Sequence, residues 1–199
     1  MSQAQRKLTV EDYELFPEGD GKRHELIDGE HVVTAAPFIP HQQLLGELFM
    51  AVHGFVRQHD LGMVLFAPVD VELSRHDMLQ PDMLFVSKQR MHIVSRRRFH
   101  AAPDLAVEVL SASTRRLDEI RKRARYEQFG VQELWLLDLS IDGMRIYRRA
   151  APGEPFGPAL QLLSPADTLE SPLLPGFSLP LRELFAVTKG LPDDALEGS

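Results

Sequence analysis

Acidic side chains stand beside or inside the most apolar runs of this chain. Pro81 and Asp82 come directly before the run MLFV, and Pro103 and Asp104 come before LAVEVL, which contains Glu108. Apolar runs of this length, bounded by proline and turn residues, are typical of buried strands. A buried carboxylate destabilises a fold unless a metal, a cation or hydrogen bonds compensate its charge. The pattern therefore predicts a sheet that carries compensated acids, and Glu108 has the fewest structural explanations among them.

A polar helix face follows the second apolar run. Asp118, Lys122 and Tyr126 are spaced four residues apart, so they share one face of a helix. The alternative interpretation makes Asp118 and Lys122 a surface ion pair and Tyr126 a packing aromatic. Two strand acids and a lysine that converge on one place indicate metal-assisted hydrolysis of a phosphodiester.

Oxygen ligands are the ones this chain can offer to a hard metal ion. Mg²⁺ prefers carboxylates, backbone carbonyls and water, and Asp82 and Glu108 are the predicted ligands, with Glu25 as a third. We expect Lys122 to stabilise the negative charge of the transition state or to orient the attacking water. Asp104, which follows a proline, is more typical of a turn at the start of a strand than of a ligand.

Composition limits the classes of protein that remain. The chain has 199 residues, 44% of them hydrophobic, and no cysteine, which excludes disulfides, thiolate catalysis and cysteine zinc sites. We predict a single domain over 1–186 and a flexible acidic tail over 187–199. Because the sequence shows neither a membrane span nor the apolar core of a signal peptide, we expect a cytoplasmic protein with no membrane partner.

The charge of the chain is unevenly distributed. The formal net charge is −7, yet residues 88–125 hold eleven Lys or Arg against four acids. A local positive charge of this kind favours a phosphate-bearing partner. Arg115, Arg116 and Arg121 are the candidate nucleic-acid-binding residues, although basic residues here are also typical of the solvated face of a loop and a helix.

Turn residues and periodicity predict an α/β fold with a mixed central sheet flanked by helices. Asp28 and Gly29 supply the two positive-φ positions of a tight hairpin turn. The other main predictions are a helix over 41–59, a strand over 79–87 whose entry is fixed by Pro81, a strand over 103–111, a helix capped by Ser113 or Thr114 that ends at Gly130, and a hairpin around Asp142.

The order of these motifs resembles a known family. The chain is similar to the Uma-type family of restriction-endonuclease-like proteins, within the PD-(D/E)XK nuclease superfamily, over roughly residues 8–186. The segments that carry the resemblance are HELIDGE, His41 at the start of a helix, QPDMLFVS, PDLAVEVLSAST, the Asp118–Lys122–Tyr126 spacing and GVQELWLLD.

This resemblance implies a restriction-endonuclease-like core and a Mg²⁺-dependent DNA endonuclease, with Mn²⁺ as a substitute metal. By position, Asp82 matches the first acid, Glu108 the second, and Lys122 a lysine displaced onto the following helix. His41, Asp118 and Tyr126 are candidate supporting residues. A homodimer is expected by analogy with nucleases that cut both strands.

One position departs from the superfamily pattern and leaves other functions open. Leu110 stands where the superfamily lysine usually lies, two residues after Glu108. The chain is then either a nuclease with a displaced lysine or a non-catalytic module that binds nucleic acid or a partner; the retained acids and Lys122 favour the nuclease. A histidine-based metal hydrolase is less favoured, because His53 and His59 fall on different helix faces and no HExxH motif is present.

Overall fold

The computed structural model of the chain describes residues 6–17 and 19–190. Of the acidic tail expected over 187–199, residues 187–190 follow the last helix, and the remainder lies outside the described residues. A single domain over 1–186 stays a prediction. Within the described part, no helix is both long and apolar enough to cross a lipid bilayer.

Two sheets and a small hairpin make up the strands of the fold. The first sheet has the order β2-β1-β5-β4-β7, the second has the order β11-β10-β9-β8-β6-β3, and β12 pairs with β13. The strands are β1 (Arg23–Ile27), β2 (Glu30–Thr34), β3 (Gly62–Phe66), β4 (Asp70–Ser74), β5 (Asp77–Leu79), β6 (Met83–Ser87), β7 (Arg98–Phe99), β8 (Leu105–Leu110), β9 (Glu133–Asp138), β10 (Gly143–Arg148), β11 (Leu160–Leu162), β12 (Thr168–Glu170) and β13 (Ser178–Pro180).

The helices connect and cover these sheets. They are α1 (Val10–Tyr13), α2 (Ile39–Gln58), a 3₁₀ helix (Lys88–Ile93), a π-helical segment (Leu117–Lys122), α3 (Arg123–Phe129) and α4 (Leu181–Ala186). The prediction of an α/β fold with mixed sheets flanked by helices is confirmed. α3 ends at Gly130, whose φ of 93° permits the left-handed turn that stops the helix.

Strand β8 lies at the centre of the second sheet and is buried along its whole length. It pairs parallel with β9 and antiparallel with β6. On one face, Val107 and Val109 belong to a core formed with α2 and α4; on the other, Ala106 and Leu110 pack in a core that contains Tyr126 of α3. Because side chains alternate along a strand, Glu108 points to the α3 face.

The strand predicted over 79–87 has its entry fixed by Pro81, and the structure does interrupt the run near this residue, with Leu79 and residues 83–87 in different sheets. β5 ends at Leu79 in the first sheet, and β6 begins at Met83 in the second. Pro81 lies in the crossing, where its missing N–H removes no ladder hydrogen bond. The crossing therefore places Asp82 between the sheets instead of inside a strand.

Two local predictions, the turn at Asp28 and Gly29 and the start of the helix after β8, can be compared with the structure. Asp28 and Gly29 have φ values of 53° and 78°, as a primed turn requires, so this hairpin is confirmed. In the turn after β8, Ser111 Oγ accepts a hydrogen bond from the amide of Thr114 at 3.2 Å. Helical structure begins at Arg115, directly after Thr114, and the Thr114 carbonyl accepts from the amide of Asp118 at 3.0 Å, so the predicted start of the helix at Thr114 is confirmed.

A buried ion pair attaches the first sheet to α3. Nε and Nη2 of Arg125 donate to the two carboxylate oxygens of Asp77 at 2.7 and 2.6 Å. Ser74 Oγ and the amide of Asp28 donate to the same carboxylate at 2.6 and 2.8 Å. Four directed donors thus fix the position of α3 relative to the hairpin β1–β2.

Candidate active site

Asp82 is held at the crossing between the sheets by backbone and side-chain donors. Its Oδ2 accepts from the amide of Val109 at 2.8 Å and contacts His41 Nε2 at 3.1 Å. Nη1 of Arg23 lies 2.8 Å from Oδ1. The carboxylate is thereby pinned against the end of β8 by groups from β1, α2 and β8.

Glu108 reaches the same place from the middle of β8. Tyr126 donates its hydroxyl to Glu108 Oε1 at 2.6 Å. Lys122 Nζ lies 3.2 and 3.3 Å from the two oxygens of Glu108. All three side chains are buried, so this group forms a closed polar centre behind the sheet.

Glu25 brings a third carboxylate from the hairpin of the first sheet. Its Oε1 accepts from the amide of Gln80 at 2.8 Å and lies 2.9 Å from Lys122 Nζ. The hairpin is fixed against α3 by Asp77 and Arg125, so Glu25 depends on that ion pair for its position.

Lys122 is the residue that joins the carboxylates. Besides Glu25 and Glu108, its Nζ lies 3.6 Å from Asp118 Oδ1. The segment that carries it is π-helical, and the N–H of Arg123 bonds the carbonyl of Asp118, five residues earlier. π-Helical turns are rare and are often found at functional sites. The predicted shared face of Asp118, Lys122 and Tyr126 is confirmed, on a wider helical turn than expected.

Burial and charge shift the pKa of the acids in opposite directions. Burial alone raises the pKa of Asp82, but the hydrogen bond from His41 and the charge of Arg23 outweigh it and lower that pKa. Burial raises the pKa of Glu108 despite Lys122. Burial also raises the pKa of Asp118 to about 6, against the lowering effect of Lys122.

The two donors that face Glu108 both keep their protons at neutral pH. Burial lowers the pKa of Lys122, but Glu108, Glu25 and Asp118 more than offset this effect and raise it. Burial, followed by the charges of Glu108 and Glu25, raises the pKa of Tyr126. Lys122 is therefore a cation and Tyr126 a neutral hydrogen-bond donor.

Two carboxylate oxygens and one histidine nitrogen in this centre are buried without a hydrogen-bond partner: Glu25 Oε2, Asp82 Oδ1 and His41 Nδ1. Arg23 lies close to Asp82 Oδ1, yet the angle does not make a directed hydrogen bond. Buried acceptors are almost always paired, so orphaned oxygens are the expected ligands of a cation.

The donor chemistry fits a hard divalent cation such as Mg²⁺. In the arrangement described for 6–17 and 19–190, however, no three His, Asp or Glu residues are grouped closely enough to hold a metal ion together. Lys122 and Arg23 neutralise the acids instead.

The fold thus brings together seven of the predicted site residues. The three predicted nucleic-acid-binding arginines are not among them. The seven are Glu25, His41, Asp82, Glu108, Asp118, Lys122 and Tyr126. Arg115 pairs with Asp138 at 2.5 Å and Arg121 with Glu30 at 2.7 Å, whereas Arg116 is exposed.

Sequence reasoning missed Arg23, although the period of a strand carries the signal. Arg23 and Glu25 are two residues apart on β1, so they face the same side. Leu110, two residues after Glu108, is buried in the apolar core with Tyr126. The contact of Lys122 with Glu108 shows that a lysine of the following helical segment reaches this carboxylate.

Comparison with known proteins gives two findings. A family model described as "Uma2: Putative restriction endonuclease" matches residues 10–182. The chain is similar to a solved structure of "a putative nuclease belonging to DUF820 from Anabaena variabilis ATCC 29413", with 18% identity, a TM-score of 0.78, and coverage of 91% of this chain and 99% of that one. This similarity confirms the predicted fold. No curated protein matches the chain.

Proposed function

Because the chain belongs to the Uma2 family, described as "Putative restriction endonuclease", we propose that it is an endonuclease that hydrolyses phosphodiester bonds in DNA with Mg²⁺. The observation that carries this proposal is the convergence of Glu25 and Glu108 on Lys122, next to Asp82, whose charge acts on Glu108. Among the described residues, one buried oxygen of Glu25 and one of Asp82 have no hydrogen-bond donor. Mn²⁺ is the expected substitute metal, since it also accepts oxygen ligands.

Asp82, Glu108 and Glu25 are the residues that would hold the metal. When bound, the metal supplies Lewis-acid polarisation of a phosphoryl oxygen and acidification of a water molecule. Asp82 Oδ1 and Glu25 Oε2 are suited to this role because neither accepts a hydrogen bond from a donor in the described part of the chain. The Val109 amide and His41 hold Asp82 in one orientation, which presents Oδ1 to the site.

The remaining groups act through charge and position. Lys122 is protonated and points into the acid cluster, so it can donate to a phosphoryl oxygen as negative charge develops there. Tyr126 donates to Glu108 and fixes the direction of that carboxylate. Asp118 lies 3.6 Å from Lys122 and supports its position on the π-helical segment.

The partner is proposed to be DNA, bound through the positive segment that surrounds the acids. Arg116 is exposed and free to approach a phosphate, whereas Arg115 and Arg121 would first have to leave their acidic partners. A homodimer that cuts both strands and a cytoplasmic location remain predictions from the sequence.

Cleavage of DNA with and without metal is the first test. Purified wild-type protein is incubated with supercoiled plasmid and with single- and double-stranded oligonucleotides in Mg²⁺, Mn²⁺ or EDTA. We expect metal-dependent cleavage that Glu108→Gln abolishes. Glu133→Gln is the matched control, because Glu133 is a buried glutamate of the neighbouring strand whose donors are Trp135, Ser171 and Arg148. Equal cleavage by wild type and Glu108→Gln would point to a contaminating nuclease.

Metal binding separates the nuclease from the non-catalytic module. Calorimetric titration of Mn²⁺ should show saturable binding to the wild type and none to Asp82→Asn. Lys122→Met should lose turnover but keep metal binding, because it removes a cation that competes for Glu25 and Glu108. Absence of metal binding, with or without DNA, would favour a module that binds nucleic acid or a partner without chemistry.

A further inference from the structure

We propose that Arg23 is an exchangeable counter-cation of the active site. In the metal-free protein it neutralises Asp82, a divalent cation displaces it, and the released guanidinium then binds a phosphate of the substrate. This inference rests on the proposed nuclease function and adds a substrate-binding residue to it.

The contact between Arg23 and Asp82 is close but poorly directed. Nη1 of Arg23 lies 2.8 Å from Asp82 Oδ1, yet Oδ1 has no hydrogen bond of acceptable geometry. Within residues 6–17 and 19–190, the directed hydrogen bond of the Arg23 side chain runs from Nη1 to the carbonyl of Gln80 at 3.3 Å. An arginine normally pairs with a carboxylate through two parallel N–H groups, and this one does not.

A second, similarly exposed arginine shows what a permanent pair looks like in the same protein. Arg125 binds both oxygens of Asp77 at 2.7 and 2.6 Å, with two further donors on the carboxylate. Arg23 therefore loses little hydrogen bonding if it leaves Asp82, whereas Arg125 would lose a bidentate bond.

The position of Arg23 permits such a movement. Its side chain is 19% exposed, against 3% for Lys122, so it lies at the solvent side of the acid cluster. Arg23 is the first residue of β1 and can turn outward without breaking the core. Guanidinium groups bind phosphate oxygens in the same forked geometry that Arg23 leaves unused.

Charge makes the Arg23–Asp82 contact and metal binding mutually exclusive. A divalent cation at Asp82 Oδ1 would lie within a few ångströms of Nη1, and like charges at that distance repel strongly at a buried site. Asp82, Glu25 and Glu108 all act on the Arg23 charge. A metal that takes over these acids removes the attraction that holds the guanidinium in place.

Calorimetric titration of Mn²⁺ into Arg23→Gln tests the exchange. We expect this variant to bind Mn²⁺ about tenfold more tightly than the wild type, because no cation has to be displaced. Arg96→Gln removes the same charge from an exposed loop residue and should bind like the wild type. Equal or weaker binding by Arg23→Gln overturns the exchange and leaves the metal site of the proposed function intact. Absence of binding in all three proteins overturns both.

Cleavage measured on the same variants tests the phosphate contact. Arg23→Gln should cut DNA at least about tenfold more slowly at saturating Mg²⁺ although its metal affinity is higher. Arg23→Lys should recover part of the rate, since a lysine keeps the charge but not the fork. A cleavage rate unchanged in Arg23→Gln overturns the phosphate role.

The wild-type protein gives a readout that does not depend on the folding of a variant. The Nε–Hε NMR signal of Arg23, assigned by its loss in Arg23→Gln or Arg23→Lys, should shift on addition of Mg²⁺. The signal of Arg125 is the internal control and should stay in place, because its pair with Asp77 is complete. Binding of Mg²⁺ without a shift of the Arg23 signal overturns the exchange.

Discussion

Two buried aspartates of this protein face an arginine, and they are satisfied to very different degrees. Asp77 receives four directed donors, from Arg125, Ser74 and the amide of Asp28. Asp82 receives directed bonds on Oδ2 only, and Arg23 approaches Oδ1 without making one. The two residues are five positions apart in the chain: Asp77 begins β5, and Asp82 lies in the crossing between the sheets.

The number of hydrogen bonds on each carboxylate distinguishes a structural aspartate from one that can bind a cation. A fully hydrogen-bonded ion pair is a fixed part of the architecture, and it has no acceptor left for a ligand. An orphaned buried oxygen costs free energy in the folded protein, and a bound cation removes that cost. Glu133 belongs with Asp77, since Trp135, Ser171 and Arg148 occupy its oxygens.

Asp82→Asn should have the largest effect of all on cleavage. We expect a loss of at least about 10³-fold in turnover, because the substitution removes a metal ligand from the site. Asp77→Asn, assayed at a temperature where it is folded, should cut within about tenfold of the wild type. Comparable losses in both variants would mean that the two aspartates do not differ in role, and the comparison would fail.

Asp77→Asn should instead have the largest effect on stability. The substitution weakens four hydrogen bonds to a buried carboxylate, two of them from Arg125, so we expect the free energy of unfolding to fall by about 3 kcal/mol. Urea unfolding followed by circular dichroism measures it. Glu127→Gln is the control and should cost less, since Glu127 is only partly buried and accepts a hydrogen bond from the amide of Phe156. A larger loss for Glu127→Gln would contradict the anchoring role of Asp77.

Asp118→Asn should stabilise the metal-free protein at neutral pH. The pKa of Asp118 is raised from 3.8 to about 6, mainly by burial, so the fold favours its protonated form. The stability that protonated Asp118 gives to the fold is fully present below pH 3.8, and it is lost as the pH rises through about 6. We expect a gain of about 2 kcal/mol at pH 7.5 and none near pH 4. Urea unfolding at pH 7.5 and at pH 4 measures the free energy of unfolding of the variant and the wild type. If the two proteins differ by the same amount at both pH values, the raised pKa of Asp118 is refuted.

Arg116→Gln and Arg115→Gln should have the smallest effects on DNA binding and stability. They compare an exposed arginine with one that is paired to an acid. Arg116 is exposed, so its loss should lower the salt dependence of DNA binding by about one phosphate contact. Arg115 is paired with Asp138, so its loss should lower stability more than DNA affinity. Binding measured by fluorescence anisotropy over a range of salt concentrations, with unfolding measured in parallel, distinguishes the two arginines.

Much of the fold is predictable because its signals are local. The Asp28-Gly29 turn, the buried run of β8 and the stop at Gly130 each follow from the residues within a few positions. Pro81 was predicted as the entry to the strand, but the run LQPDMLFVS does not show that Leu79 belongs to another sheet, because the sheet that each half joins depends on strands far away in the chain. The π-helical segment also escaped prediction, since its residues have ordinary helical spacing.

The sequence by itself determined where the acids stand, on which strands, and on which face of the helix the lysine lies, because strand and helix periods are local properties. Only the tertiary structure decided which of those acids are satisfied. Asp77 meets Arg125 across 48 positions of the chain and Asp82 meets His41 across 41. In the sequence both are aspartates beside a strand, and only the donors brought to them by the fold make one a structural anchor and leave the other open to a cation.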